Sequence, residues 1–162
     1  MRRRSEDDYP RFLFPGEKSR SINYGYYHGY TLLDKENKKA AYPFGFGLSY
    51  TDFAYSDLKV AKTEEGLKIS VKAENTGGAD GKTVVQAYIG AQQGDHPLRQ
   101  LKAFKKVLLK KRESQYVELS VDKDDLRYYD EHTGKFYLEK EYRVYVGRDV
   151  EDSSNLTADV TM

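Results

Sequence analysis

Leu67-Lys68-Ile69-Ser70-Val71-Lys72-Ala73-Glu74 alternates apolar and polar residues without a break. Such a pattern gives one face to a core and one to water only if successive side chains point to opposite sides, which is the geometry of a β-strand. The residues that follow, Asn75-Thr76-Gly77-Gly78-Ala79-Asp80-Gly81, are the small and polar types that make turns. Alternation resumes over 83–89, with Val85, Ala87 and Ile89 on one face. It recurs at 116–121 with Val117, Leu119 and Val121, and at 141–147 with Tyr142, Val144 and Val146. Burial of each such Val, Leu or Ile contributes roughly 1.5–3 kcal/mol, enough for these strands to hold two sheets together. Segments 53–60, 99–109 and 135–138 bring the expectation to about seven strands over some 110 residues. That is the count and spacing of an all-β, immunoglobulin- or fibronectin-III-like two-sheet sandwich.

Segment 99–109 carries two patterns. Leu98, Leu101, Phe104 and Leu108 fit a helical spacing, with Arg99, Lys102, Lys105, Lys106, Lys110, Lys111 and Arg112 crowding the other face. Val107 and Leu109 break that polar face, and the surroundings are β throughout. A lysine-guarded edge strand is therefore expected.

Before the first strand the character changes. In Tyr42-Pro43-Phe44-Gly45-Phe46-Gly47-Leu48-Ser49-Tyr50-Thr51, Pro43 fixes its own φ while Gly45 and Gly47 allow angles and approaches that a Cβ resists. Two aromatics alternating with two glycines describe a kinked ribbon suited to wedging between packed bodies. Upstream, Tyr9-Pro10-Arg11-Phe12-Leu13-Phe14-Pro15-Gly16 reads as an extended arm, and Tyr24, Tyr26, Tyr27 and Tyr30 share the next stretch with Gly25 and Gly29. Residues 34–39 read as a polar turn, and the charged residues 1–8 as disordered. The chain is thus expected to divide into an arm and junction ribbon, 1–47, and a sandwich, 48–162.

At 162 residues the chain fits one domain with an appendage. Its 15 tyrosines and 7 phenylalanines supply wide apolar faces despite a hydrophobic content of 38%. The absence of cysteine excludes a disulfide framework, a thiolate metal site and a cysteine nucleophile. With 27 basic against 26 acidic residues there is no global field to hold nucleic acid or an anionic membrane, and neither partner is expected. No stretch approaches the ~20 apolar residues of a membrane span. Ser5-Glu6-Asp7-Asp8 stands where a signal peptide opened by Arg2-Arg3-Arg4 would need its apolar region, which slightly favours a cytoplasmic location.

Motifs for chemistry fail one by one. Gly45-Phe46-Gly47 lacks the third glycine of a dinucleotide loop, and Gly47-Leu48-Ser49-Tyr50-Thr51 lacks the second glycine of a nucleophile elbow. His28, His96 and His132 are scattered without ligand spacing, and read as loop or surface histidines. Asp122, Asp124, Asp125, Asp130 and Glu131 form an acidic cluster, but Arg127 stands where a calcium loop needs glycine, so turn chemistry is expected there. No catalytic residue, metal ligand or cofactor is expected.

The run 42–51, with Tyr27-His28-Gly29-Tyr30-Thr31-Leu32-Leu33-Asp34-Lys35 before it and Phe53-Ala54-Tyr55-Ser56-Asp57-Leu58-Lys59-Val60 after it, resembles the start of the fibronectin type III-like C-terminal domain of family 3 glycoside hydrolases, the β-glucosidase and β-xylosidase family. Further anchors follow in matching order across 8–152: Asn75-Thr76-Gly77 with Gly81, Val84-Val85-Gln86-Ala87-Tyr88, Leu101-Lys102-Ala103-Phe104-Lys105-Lys106-Val107, Asp125-Leu126-Arg127-Tyr128-Tyr129-Asp130 and Tyr142-Arg143-Val144-Tyr145-Val146-Gly147. Glycoside hydrolysis needs two carboxylates across a sugar-sized cleft. In the family these lie in preceding domains, so the resemblance implies a non-catalytic accessory domain, an excised or truncated part of a larger enzyme. Its partners would be the parent's catalytic domains, with self-association through the arm as a second contact. The resemblance implies junction roles for Tyr42, Pro43, Phe44, Gly45, Phe46, Gly47, Leu48 and Tyr50, and sugar-rim or interdomain contacts for Tyr26, Tyr27, His28 and Tyr30. Tyr24 before Gly25, Thr31 after Tyr30 and Phe136 in place of a tryptophan depart from the family pattern. A rival reading is a free-standing carbohydrate- or protein-binding module; a small intact hydrolase has only the unpatterned carboxylates behind it.

Overall fold

The computed structural model describes residues 25–162, with backbone alone at 154 and 155. The expectations for 1–8 and 9–16 lie outside the described residues. The described elements are a short helix α1 (Gly29–Lys35), two 3₁₀ turns (Lys123–Leu126 and Asp152–Asn155) and nine strands: β1 (Phe53–Lys62), β2 (Gly66–Asn75), β3 (Gly81–Ala91), β4 (Gln100–Leu109), β5 (Ser114–Asp122), β6 (Tyr128–Asp130), β7 (Lys135–Tyr137), β8 (Glu141–Gly147) and β9 (Thr157–Thr161). They form a three-stranded sheet in the order β1-β2-β5, a four-stranded sheet in the order β4-β3-β8-β9, and the hairpin β6-β7. Every pairing is antiparallel.

The alternation that predicts β2 is the alternation that builds the core. Leu67, Ile69, Val71 and Ala73 are buried together with Val85, Ala87 and Ile89 of β3, Val117, Leu119 and Val121 of β5, and Val144 and Val146 of β8. All the clustered core residues of this kind come from Phe53 onward. At the end of β2 the fully buried Asn75 saturates its side chain. Its Oδ1 accepts from Thr51 Oγ1 at 2.7 Å and Gly77 N at 3.1 Å, while Nδ2 donates to Ala79 O at 2.8 Å and Leu109 O at 3.1 Å. One amide therefore ties the chain before β1, the β2–β3 turn and the end of β4. Glycine is required at 77, because a Cβ there would lie 2.1 Å from Thr51 Oγ1.

β4 is a strand and the edge of its sheet, as expected from its lysines. The structure departs from expectation in three places. β6 and β9 add to the seven expected strands, and α1 turns part of the arm helical where an extended chain and a polar turn were read. His96 is a loop histidine, between β3 and β4, but a covered one: its side chain is 9% exposed, 3.2 Å from Glu139 Oε1, and its ring stacks on Tyr128 at 3.7 Å. The aromatic packing continues to Tyr142, whose hydroxyl donates to Leu126 O and accepts from Glu139 N, both at 2.8 Å. The acidic cluster does turn chemistry: Asp130 accepts from His132 N at 2.9 Å and Thr133 Oγ1 at 2.7 Å, and Asp124 pairs with Arg127 at 3.1 Å. Among the described residues no group of acids and histidines could hold a metal ion.

Candidate functional site

The four-stranded sheet is covered on both faces. Ala87 and Ile89 of β3 and Val144 and Val146 of β8 join the main core, whereas Tyr88 and Tyr145, between them in sequence, pack with Val150 and Leu101 in a second cluster. Successive strand residues point to opposite sides, so this second cluster is the outer face. The junction ribbon lies on it.

The ribbon docks through its backbone. Phe46 N donates to Pro43 O at 3.1 Å, closing a turn whose third residue, Gly45, has φ +85°. That angle favours glycine, and a Cβ at 45 would also stand 2.5 Å from Gln86 Oε1. Val150 N donates to Phe44 O at 2.9 Å. Beneath them Gln86 is buried: its Nε2 donates to Arg148 O and its Oε1 accepts from Tyr88 Oη at 2.6 Å. Burial pushes the Tyr88 hydroxyl well above the usual tyrosine range, keeping it a neutral donor.

The ribbon's side chains, by contrast, reach outward. Phe44 touches Tyr88 and Tyr30 edge-on, at 6.5 and 5.6 Å between ring centres, yet is 43% exposed. Phe46 leans on Tyr42 at 5.3 Å and is 46% exposed. Leu48 and Tyr50 stand fully in solvent. The backbone of 43–46 is thus locked down, while Phe44 and Phe46 are half-covered by this domain.

The four remaining candidate residues cluster around α1. His28 precedes the helix; its N–H donates to Thr31 Oγ1 at 3.3 Å, and Thr31 Oγ1 donates back to His28 O at 2.8 Å. Tyr30 Oη donates to Tyr42 O at 3.3 Å, joining helix to ribbon. Tyr26 packs edge-on against Tyr27 at 5.1 Å. Tyr27 Oη donates to Asp95 at 2.7 Å, Lys35 Nζ lies 2.9 Å from the same carboxylate, and that ammonium sits 3.6 Å over the Tyr27 ring. Burial and then the Asp95 bond raise the Tyr27 hydroxyl, while the bonds from Tyr27 and Lys35 hold Asp95 below the usual carboxylate range. Asp34 accepts two bonds from Arg99, each at 3.2 Å. Sequence reading missed Asp34, Asp95 and Arg99, whose partners lie some 60 or more positions away. An open cleft of about 390 Å³ runs between α1, Pro43, Leu98, Arg99 and Val150.

A two-sheet antiparallel sandwich of three and four strands is the architecture of a fibronectin type III-like domain, and the model of that family matches residues 83–150. A probable β-glucosidase M of Emericella nidulans is 32% identical over 92% of this chain and 23% of its own length. The thermostable β-glucosidase B of Acetivibrio thermocellus is 35% identical over 88% of this chain and 20% of its own. Among solved structures, a GH3 β-glucosidase of Bifidobacterium adolescentis superposes with a TM-score of 0.77 at 34% identity, over 83% of this chain and 20% of that one. The chain thus carries a fibronectin type III-like domain and is similar to one stretch of these family 3 β-glucosidases, spanning about a fifth of their length.

Proposed function

We propose that the chain serves as a non-catalytic accessory domain of a β-glucosidase-like enzyme, with residues 1–47 as linker arm and junction and 48–162 as the sandwich. The ribbon, from Tyr42 to Tyr50, packs against the catalytic body, and Tyr26, Tyr27, His28 and Tyr30 face the rim of its sugar site. The observation that carries this reading is a locked turn, 43–46, followed at once by uncovered apolar side chains: Leu48 is 92% exposed and Tyr50 wholly so. A rigid turn that spends its large apolar groups on solvent is built for a surface outside itself.

The rival module reading asks for exposed aromatics in a row on one rigid sheet face. The exposed rings outside the ribbon and arm are instead spread over β4 (Phe104), β5 (Tyr116) and the β6-β7 hairpin (Tyr129, Phe136, Tyr137), which supports the accessory reading.

The test is a chimera in which this chain replaces the corresponding part of the Bifidobacterium adolescentis enzyme. Aryl β-glucoside hydrolysis is expected in the chimera and absent from the chain alone. Leu48→Asp with Tyr50→Asp should lower the chimera's melting temperature while leaving the isolated chain's unchanged. A chimera indifferent to both substitutions, or turnover by the chain alone that one Asp or Glu substitution abolishes, overturns the reading.

A further inference from the structure

We propose that β4 forms a docking strip for an acidic, extended polypeptide segment with apolar residues at alternate positions, which adds to the sheet as a further strand. This strip lies on the same outer face as the ribbon and beside it, Phe104 standing opposite Gln86. β4 pairs only with β3 and ends the order β4-β3-β8-β9, so half its backbone N–H and C=O groups face no strand among the described residues. On the outer face Phe104 is 68% and Leu108 55% exposed, with Lys106 between them. Directly across on β3 stand Gln86, Val84 and Lys82, opposite Phe104, Lys106 and Leu108 in turn.

Lysines on an edge strand commonly serve to prevent pairing. Here they flank two large uncovered hydrophobic residues, which selects pairing rather than abolishing it. Residues 99–112 contain no acid, and among the described residues Lys82, Lys105, Lys106, Lys110 and Lys111 have no ion pair. A second copy of β4 would set lysine against lysine, so like charge rejects self-pairing. An incoming acidic strand meets the opposite condition. Its side chains alternate, so apolar residues land on the outer face beside Phe104 and Leu108 when carboxylates fall on the other face beside Lys105, which stands opposite Val85, and its backbone completes the open ladder. A purely anionic polymer answers the lysines alone and leaves the apolar pair uncovered.

The test uses the full chain, isotope-labelled, titrated with a capped eight-residue peptide of alternating valine and glutamate, its valine–lysine counterpart, and polyglutamate. Saturable amide shifts running along 101–109 are expected with the valine–glutamate peptide alone. Lys105→Glu with Lys106→Glu, solvent-facing changes that circular dichroism should show to be folded, is expected to weaken binding at least tenfold, and Phe104→Ala to weaken it severalfold. Absence of saturable shifts, equal binding of the valine–lysine peptide, or equal binding of polyglutamate, which would mean simple ion exchange, overturns the proposal.

Discussion

Asn75 shows how much one side chain can decide. All four of its hydrogen-bonding positions are used, on three separate segments, and none of the side chain reaches solvent. Truncation strands two donors and two carbonyls in a dry place, at about 1–3 kcal/mol for each group left unsatisfied. Asn75→Ala should therefore lower unfolding free energy by about 3 kcal/mol or more in urea titrations; a loss under about 1 kcal/mol would mean that water enters and replaces the amide. Gly45 is decided by space and angle together. Gly45→Ala should cost about 1–2 kcal/mol from its positive φ alone, with the clash against Gln86 added. The double variant with Gln86→Ala should recover only the clash, so a thermal melt in which Gly45→Ala costs nothing would show that the turn is not held. Four aspartates, Asp57, Asp95, Asp130 and Asp159, lie below the usual carboxylate range because Tyr116, Tyr27, Thr133 and Arg143 respectively bond them. Since their folded pKa values are depressed, the stability they contribute is present above an unfolded value of about 3.9 and lost as pH falls through the folded values. Calorimetry should find the melting temperature steady from pH 7 to about 5 and falling below about 4; a flat profile to pH 2.5 would contradict this.

At the scale of elements, legibility followed the length of the pattern. β2 and β5 each bury mainly one face over several repeats, so period two is plain in Leu67 to Ala73 and in Val117 to Val121, whereas β3 and β8 are covered on both faces by the main core and by the cluster of Tyr88 and Tyr145. β6 and β7 have three residues each, too short to show a period, and β9 has alternate residues half-covered at a sheet edge. α1 was illegible for another reason: it buries no residue, and is held by Asp34 on Arg99 and Lys35 on Asp95, partners that only the fold brings near. The ribbon was legible as a special turn from Pro43 and Gly45. Which of its groups face inward was not, because the docking atom is the Phe44 carbonyl, identical in every residue. Full burial of a phenylalanine is worth about 3–5 kcal/mol against alanine. With 43% of its surface exposed, Phe44→Ala should cost the isolated chain about 1–2 kcal/mol, measured by denaturant midpoint. A loss above 3 kcal/mol would show that the ring, not the carbonyl, anchors the ribbon.

For the whole molecule, the core begins at Phe53 and the second cluster at Tyr88. Removing residues 1–40 forfeits the exposed Lys35–Asp95 pair, worth ~0–1 kcal/mol, the Tyr27–Asp95 bond, and the largely covered Asp34–Arg99 pair, whose arginine the truncation returns to water rather than leaving buried. The truncated chain should still unfold in one cooperative step, with a stability loss below about 2 kcal/mol and less self-association by light scattering. Loss of the cooperative transition would make the arm part of the sandwich rather than an appendage.

Because the ribbon is tethered by a carbonyl, a turn N–H and a glycine, its outward positions are released from any duty to the fold. Tyr42, Phe46, Leu48 and Tyr50 can drift in identity while the sandwich beneath them stays as it is. In a saturation-mutagenesis library scored only for soluble expression, these four positions should accept nearly any residue and Gly45 almost none. On the proposed junction role, the same scaffold can be re-fitted to different enzyme bodies by changing a handful of codons.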